Sequence, residues 1–547
     1  MLFSQRRAFP RDSFFSRLLD VASYSNGKVI VNDKERGIQA SYGKLFQDAA
    51  QLQQKIRESL VRDILDQCGI INHDHFYVGV LAPTGYEFIV ASLSVLALGA
   101  VLMPIPTGAP VEEISYMVQQ CSAACILVSS EQGKLATQVA ERVATTVIPI
   151  INTASAPDND PLPVGFYELE PAPSLSENRP AILFFTSGTT GASKGVLHAR
   201  RFLNALAQAA RSESECIRLE IQDLENRHDL IWERLRQCDI THLQLPPETW
   251  YNLMRFFQQR ISKLPVESAK EYIRGAQYIR YPSVAGGMPS NLVKDFWRNL
   301  RGGQPIRVRY GSTEAGLITE ADLEASSSAE SNIGAPIQSV VTKLSNEDEG
   351  ELLVKSPTLF LRYLNSPRPS TDCFDTEGFF RTGDLVYRQG KNYIFRGRAN
   401  SDFFKFFSDK VPRLAVESCL VSLPYIEEGY IMPVPDLECT YRVAALVRFR
   451  HGYDRVNLHT LREHMSAYLP IYQLPTLLRV LEEQNAVPRA LSTKISLKKA
   501  VAQYFRQDEE RNCIDDEVEV LDLVHSMEME TPKAWALSSL QEVALNV

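Results

Sequence analysis

The sequence predicts an α/β protein. A large N-terminal domain of α/β layers with a β-rich subdomain precedes a small α+β C-terminal domain. Three observations carry this. Residues 77–106 alternate strand, turn, helix, glycine and strand; residues 333–398 read as strands broken by frequent turns; residues 416–495 alternate helix and strand again. Such alternation is the mark of βαβ units and mixed layers. At 547 residues the chain exceeds one ordinary domain. The expected division is residues 1–401, then 402–506, then an acidic, flexible tail over 507–547.

In chain order, residues 13–66 read as an opening helix, a short strand pair and a long helix that Ser41 can cap, with Leu45, Ala49, Leu52 and Ile56 at helical spacing. Strands follow at 77–81, 125–128 and 146–151, with a helix over 87–98. Residues 152–180, rich in Pro, Asp and Ser, read as a surface connection. The apolar run 181–185 is a buried strand, and 198–210 a helix. Residues 211–236 are polar and charged, 240–249 a strand into a turn, and 250–264 an amphipathic helix.

Between the strand at 181–185 and the helix expected after it lies Thr186-Ser187-Gly188-Thr189-Thr190-Gly191-Ala192-Ser193-Lys194-Gly195. Glycines let backbone N–H groups approach a phosphate closely; hydroxyls add donors, and Lys194 adds charge. The pattern G-x-x-x-x-G-K-[ST] does not fit, since Ser193 precedes the lysine and Gly195 follows it. Further on, Tyr310-Gly311-Ser312-Thr313-Glu314 offers a flat ring, a hydroxyl and a hard oxygen ligand for Mg²⁺.

These stretches resemble the adenylate-forming (AMP-binding) superfamily, most nearly its acyl-CoA synthetases. The first matches that family's [ST]-S-G-[ST]-T-G-x-P-K-G, with Ser193 in place of proline, and the second its Y-G-x-T-E. The resemblance implies an ATP-dependent ligase that turns a carboxylic acid into an acyl-adenylate and passes the acyl group to CoA. Its substrates are then a small-molecule acid, ATP and CoA, with Mg²⁺ as cofactor. Small or medium acids, malonate-like ones included, fit the order of elements. The product would supply a downstream acyltransferase or synthase.

The resemblance also implies roles for single residues. Thr186, Ser187, Gly188, Thr189, Thr190, Gly191 and Lys194 would grip pyrophosphate. Ala285, Gly286 and Gly287 would lie beside the acyl group, Gly287 also beside adenine. Tyr310 and Gly311 would flank adenine, Thr313 would meet the α-phosphate, and Glu314 would hold the metal. Asp384, in Gly383-Asp384-Leu385, would accept from the ribose hydroxyls, and Arg398 would reach the ribose or phosphate. Asp402 would be the hinge that makes the small C-terminal domain mobile. Lys494 would be the catalytic lysine beside Thr186 and Glu314.

The chain also departs from the pattern. Roughly fifty residues that shape the acyl pocket are missing after about residue 210. Ser408 and Thr493 replace glycines, and the first of these glycines lines the thiol tunnel in the family. A nucleotide-binding or adenylation-only protein is therefore the alternative. His242 lies in a later strand and reads as a plain sheet residue.

Composition narrows the remaining classes. A net charge of −8 argues against broad nucleic-acid binding. No apolar run reaches the ~18 residues of a membrane span. The nine cysteines include no C-x-x-C pair, which fits free thiols rather than a zinc site. Arg6, Arg7, Arg11 and Arg17 form a weak mitochondrial-presequence pattern, and a cytoplasmic monomer or homodimer is the expectation.

Overall fold

The run Tyr77–Leu81 is buried at every residue, and its side chains serve two cores by turns. Val78 and Val80 pack with Phe15, Phe46 and Leu52, while Tyr77 and Leu81 pack with Ile114, Met117 and Leu183. A strand covered on both faces needs apolar residues at both parities, and this one has them. The computed structural model describes residues 7–25, 27–33, 36–60, 64–150, 163–186, 194–209, 227–289, 291–321, 331–365, 373–398, 403–407, 409–437, 439–482, 484–489, 495–508 and 515–522.

The chain divides into two compact units. The first is Met1–Thr382 with Val386–Phe395; the second is Gly383–Leu385 with Arg396–Val547. In the first unit a seven-stranded sheet runs in the order Arg362–Tyr363, Lys194–Ala199, Pro180–Thr186, Val101–Pro104, Tyr77–Leu81, Cys125–Val128, Thr146–Pro149. A nine-stranded sheet begins His242–Leu245, Tyr281–Val284, Arg307–Ser312, Gly316–Glu320, Asn332–Pro336. Trp232, Trp250 and Trp297, all fully buried, pack on its first strands.

In the second unit Thr440–Phe449 is the central strand. Val443, Ala445 and Val447 face one core, Ala444 and Leu446 the other. Ile426–Asp436 pairs with it antiparallel and Leu477–Val480 parallel.

Three expectations change. Residues 198–210 do not form one helix: Lys194–Ala199 is a strand, and the helix is Arg200–Ala209. Val196, Leu197, His198 and Ala199 are almost wholly buried between the neighbouring strands Pro180–Thr186 and Arg362–Tyr363, so strand pairing prevails over helical spacing. The acidic tail is also not wholly separate. Val518–Val520 extends the second unit's sheet, pairing antiparallel with Leu477–Val480. Val518 fills that core, and Glu519 accepts a hydrogen bond from the Leu458 amide at 2.7 Å. Similarly, Tyr167–Ser174, inside the expected connection, is a strand parallel to Arg7–Arg11.

Candidate active site

The loop expected to grip phosphate is flanked by two antiparallel strands in register, with Thr186 opposite Lys194 and Phe185 opposite Gly195. Ser187, Gly188, Thr189, Thr190 and Gly191 lie outside the described residues. The stretch thus joins strand to strand rather than strand to helix, and no helix N-terminus follows it directly. The Thr186 hydroxyl donates to the Lys194 carbonyl at 3.3 Å, tying the two ends together. Gly195 has a packing reason: a Cβ there would come within 2.8 Å of Leu364 Cβ.

The Tyr310–Glu314 stretch ends the strand Arg307–Ser312, which returns as Gly316–Glu320. Gly311 is required sterically, since a Cβ would meet the Gly316 carbonyl oxygen at 2.2 Å. Gly316 itself sits at φ +70. The Tyr310 ring is half-buried, 6.4 Å from the ring of Phe395. Between the two strands, Thr313 and Glu314 are partly exposed.

Three contacts fix this turn. His198 Nε2 lies 2.8 Å from the Thr313 carbonyl oxygen, which can only accept, so Nε2 carries the proton. The Phe360 amide donates to the Glu314 carbonyl at 2.8 Å. The Tyr363 hydroxyl donates to Glu314 Oε1 at 2.9 Å. His198 is fully buried and stacks near Phe202, with ring centroids 4.0 Å apart. Burial pushes its pKa down to about 4, so it is neutral at pH 7.

Ala285, Gly286 and Gly287 follow the strand Tyr281–Val284. Gly286 sits at φ +88, so backbone conformation rather than crowding calls for glycine. A Cβ on Gly287 would lie 3.1 Å from the Pro247 ring. His242 is a sheet residue, as expected, stacked 4.5 Å from Tyr281.

In the second unit Asp384 is buried, and Arg398 Nε donates to its Oδ1 at 2.8 Å. The Arg398 side chain remains 45% exposed. Asp402, Ser408 and Lys494 lie outside the described residues. Arg489 and Ile495, which flank 490–494, are antiparallel bridge partners.

Among the described residues no group of three or more His, Cys, Asp or Glu could hold a metal by itself. Glu314 nonetheless suits Mg²⁺. Its carboxylate is partly exposed, and among the described residues no Lys or Arg lies within ion-pair distance of it. Mg²⁺ commonly takes one or two carboxylates and fills its shell with substrate phosphates and water. Tyr363, His198 and Phe360 were not found from the sequence. They belong to no motif; the one signal was a histidine inside an apolar strand.

The family described as "AMP-binding enzyme" matches residues 22–224 and 217–364. The acyl-CoA ligase oryP of Aspergillus oryzae is 48% identical over 551 residues, covering 95% of this chain and 98% of that protein. The human mitochondrial malonate–CoA ligase is 25% identical, covering 82% of this chain and 86% of its own. The ATP-bound MatB structure from Rhodopseudomonas palustris superposes with a TM-score of 0.71 at 18% identity, over 90% of this chain and 98% of that one, and shows the fold. The chain belongs to the AMP-binding enzyme family. It is an AMP-forming acid–thiol ligase: it activates a carboxylic acid with ATP and forms a CoA thioester. Among the described residues no helix is long and apolar enough to cross a membrane.

Proposed function

We propose that this ligase acts on a small or medium carboxylic acid, with the malonate type among the first to test. The names of the relatives support that class. We further propose the following roles. Thr186, Ser187, Gly188, Thr189, Thr190, Gly191 and Lys194 hold the departing pyrophosphate. Tyr310 and Gly311 receive adenine with Gly287, and Thr313 donates to the α-phosphate. Asp384 accepts from the ribose, and Arg398 sets its position. Ala285, Gly286 and Gly287 line the acyl side. Residues 402–506 form the mobile domain, Asp402 is the hinge, and the compartment is cytoplasmic.

A carboxylate is already a nucleophile at pH 7, so the first step needs no base. One of its oxygens attacks the α-phosphorus, and the bond to the bridging oxygen of pyrophosphate breaks. The obstacle is repulsion between anions, so catalysis is positioning plus charge stabilisation. Lys494 bridges the carboxylate and the α-phosphate. Glu314 would hold Mg²⁺, which supplies charge neutralisation on the phosphates. The CoA thiol then attacks the acyl carbon, and AMP leaves.

The observation that carries the roles of the phosphate loop and of Thr313 and Glu314 is the grip on the Thr313–Glu314 turn. His198, on the strand leaving the phosphate loop, holds Thr313, and Tyr363, on the next strand, holds Glu314. The two motifs are thus parts of one braced structure. The test is ATP–pyrophosphate exchange with a panel of acids, with and without CoA. Exchange with a small or medium acid, and its CoA ester once CoA is added, is expected. Exchange confined to long-chain acids overturns the substrate class.

A further inference from the structure

On the strand next to the one that leaves the phosphate loop, Tyr363 touches both ends of the phosphate-handling machinery. It lies opposite Val196 in the pair between Arg362–Tyr363 and Lys194–Ala199. Lys194 is two residues before Val196, so its side chain leaves the same face of the strand. Its ammonium sits 5.8 Å from the Tyr363 ring centroid, within cation–π range. At the other end of the ring, the hydroxyl donates to Glu314 Oε1 at 2.9 Å. Nearby backbone bonds hold this arrangement: Leu364 N to the Gly195 carbonyl at 2.7 Å, and Phe360 N to the Glu314 carbonyl at 2.8 Å.

We infer that Tyr363 is a positioning residue for the adenylation site, fixing the Glu314 carboxylate for the metal that accompanies ATP. A phenol suits this task. An arginine or lysine at that position would orient the carboxylate but cancel its charge, lowering its affinity for a cation. A neutral O–H orients one oxygen and leaves the negative charge in place. The second oxygen of Glu314 takes no part in the bond to Tyr363. The cation over the ring draws electron density from it and makes the O–H a stronger donor. Tyr363 thereby links the loop's lysine to the metal's ligand through one rigid ring.

This inference rests on the reading of Glu314 as the metal ligand, and the test separates the two. The full-length chain is titrated by calorimetry with ATP plus Mg²⁺, and with ATP plus EDTA, without any acid. The readout is the ratio of the two dissociation constants. Tyr363→Phe keeps the ring under Lys194 and removes only the hydroxyl. It should reduce the Mg²⁺-dependent gain in affinity about 3–10-fold, as expected for losing a hydrogen bond to a charged group at a partly exposed site, and leave binding in EDTA unchanged. Glu314→Gln should reduce the gain at least as much, and Tyr363→Phe added to it should do nothing further. If Glu314→Gln lowers the gain and Tyr363→Phe does not, the inference falls while the metal ligand stands. If neither lowers it, both fall. A Tyr363→Phe chain that binds ATP equally more weakly with and without Mg²⁺ has lost only structure, and that result also overturns the inference.

Discussion

Two acidic side chains are proposed to serve the nucleotide and its metal, and the fold treats them in opposite ways. Glu314, in the first unit, is partly exposed and held by a neutral phenol. Asp384, in the second, is buried and held by the guanidinium of Arg398 at 2.8 Å. Burying a carboxylate without a charged partner costs several kcal/mol, a cost that the Arg398 guanidinium helps to offset for Asp384. Glu314 keeps its hydration in part and can do without compensation. The difference suits two ligands: a divalent cation wants net negative charge, whereas sugar hydroxyls want an oriented acceptor whose charge is already balanced.

The largest effect expected lies on the cationic side of this contrast. Lys494→Ala should lower acid-dependent ATP–pyrophosphate exchange by roughly 10²–10³, by analogy with the removal of one preorganised donor from a transition state. Bound ATP should stay measurable by calorimetry. Unchanged exchange would remove Lys494 from the chemistry. A smaller effect belongs to Asp384→Asn, which keeps the shape and loses the charge. The KM for ATP should rise about tenfold, with little change in the Mg²⁺-dependent affinity gain that marks Glu314. If Asp384→Asn and Glu314→Gln alter metal dependence alike, the contrast between the two carboxylates is wrong.

How much of this was legible in the sequence depended on what kind of interaction fixed each residue. Strands Tyr77–Leu81 and Cys125–Val128 were read to the residue, because burial on both faces demands an unbroken apolar run. The helix Tyr42–Ser59 was legible from its cap: the Ser41 hydroxyl accepts from the Lys44 amide. Gly311 was legible as a motif glycine, and it turns out to be fixed by its approach to Gly316. Residues 194–199 were misjudged. The spacing of the residues after His198 is helical, but His198 and Ala199 pair with Ile182 and Pro180, and Val196 and Leu197 also pair with Arg362–Tyr363, more than 160 positions away, so the start of that run is a strand. Tyr363 and His198 were missed for the same reason. Their roles come from pairing across the sheet, and nothing local in sequence marks that.

His198 offers the finest test of the brace in the first unit, and its sign can be worked out. Burial lowers its pKa to about 4, with the Arg201 charge adding a smaller push the same way and backbone carbonyls opposing. The unfolded chain returns it to about 6.5. Between these values the unfolded state binds more protons, so stability rises with pH. The contribution is complete above about 6.5 and is lost as the pH falls towards 4; at pH 5 roughly 2 kcal/mol of it is gone. His198→Gln removes the titration yet keeps an N–H for the Thr313 carbonyl. Urea unfolding can be followed by tryptophan fluorescence, because Trp232, Trp250 and Trp297 are buried reporters in the first unit. The wild-type chain should lose more stability between pH 7.5 and 5 than His198→Gln does. Equal losses would mean that His198 is already charged in the folded protein. The charged ring would then donate from both nitrogens, and the Thr313–Glu314 turn would carry a cation beside the proposed metal ligand, against the contrast with Asp384.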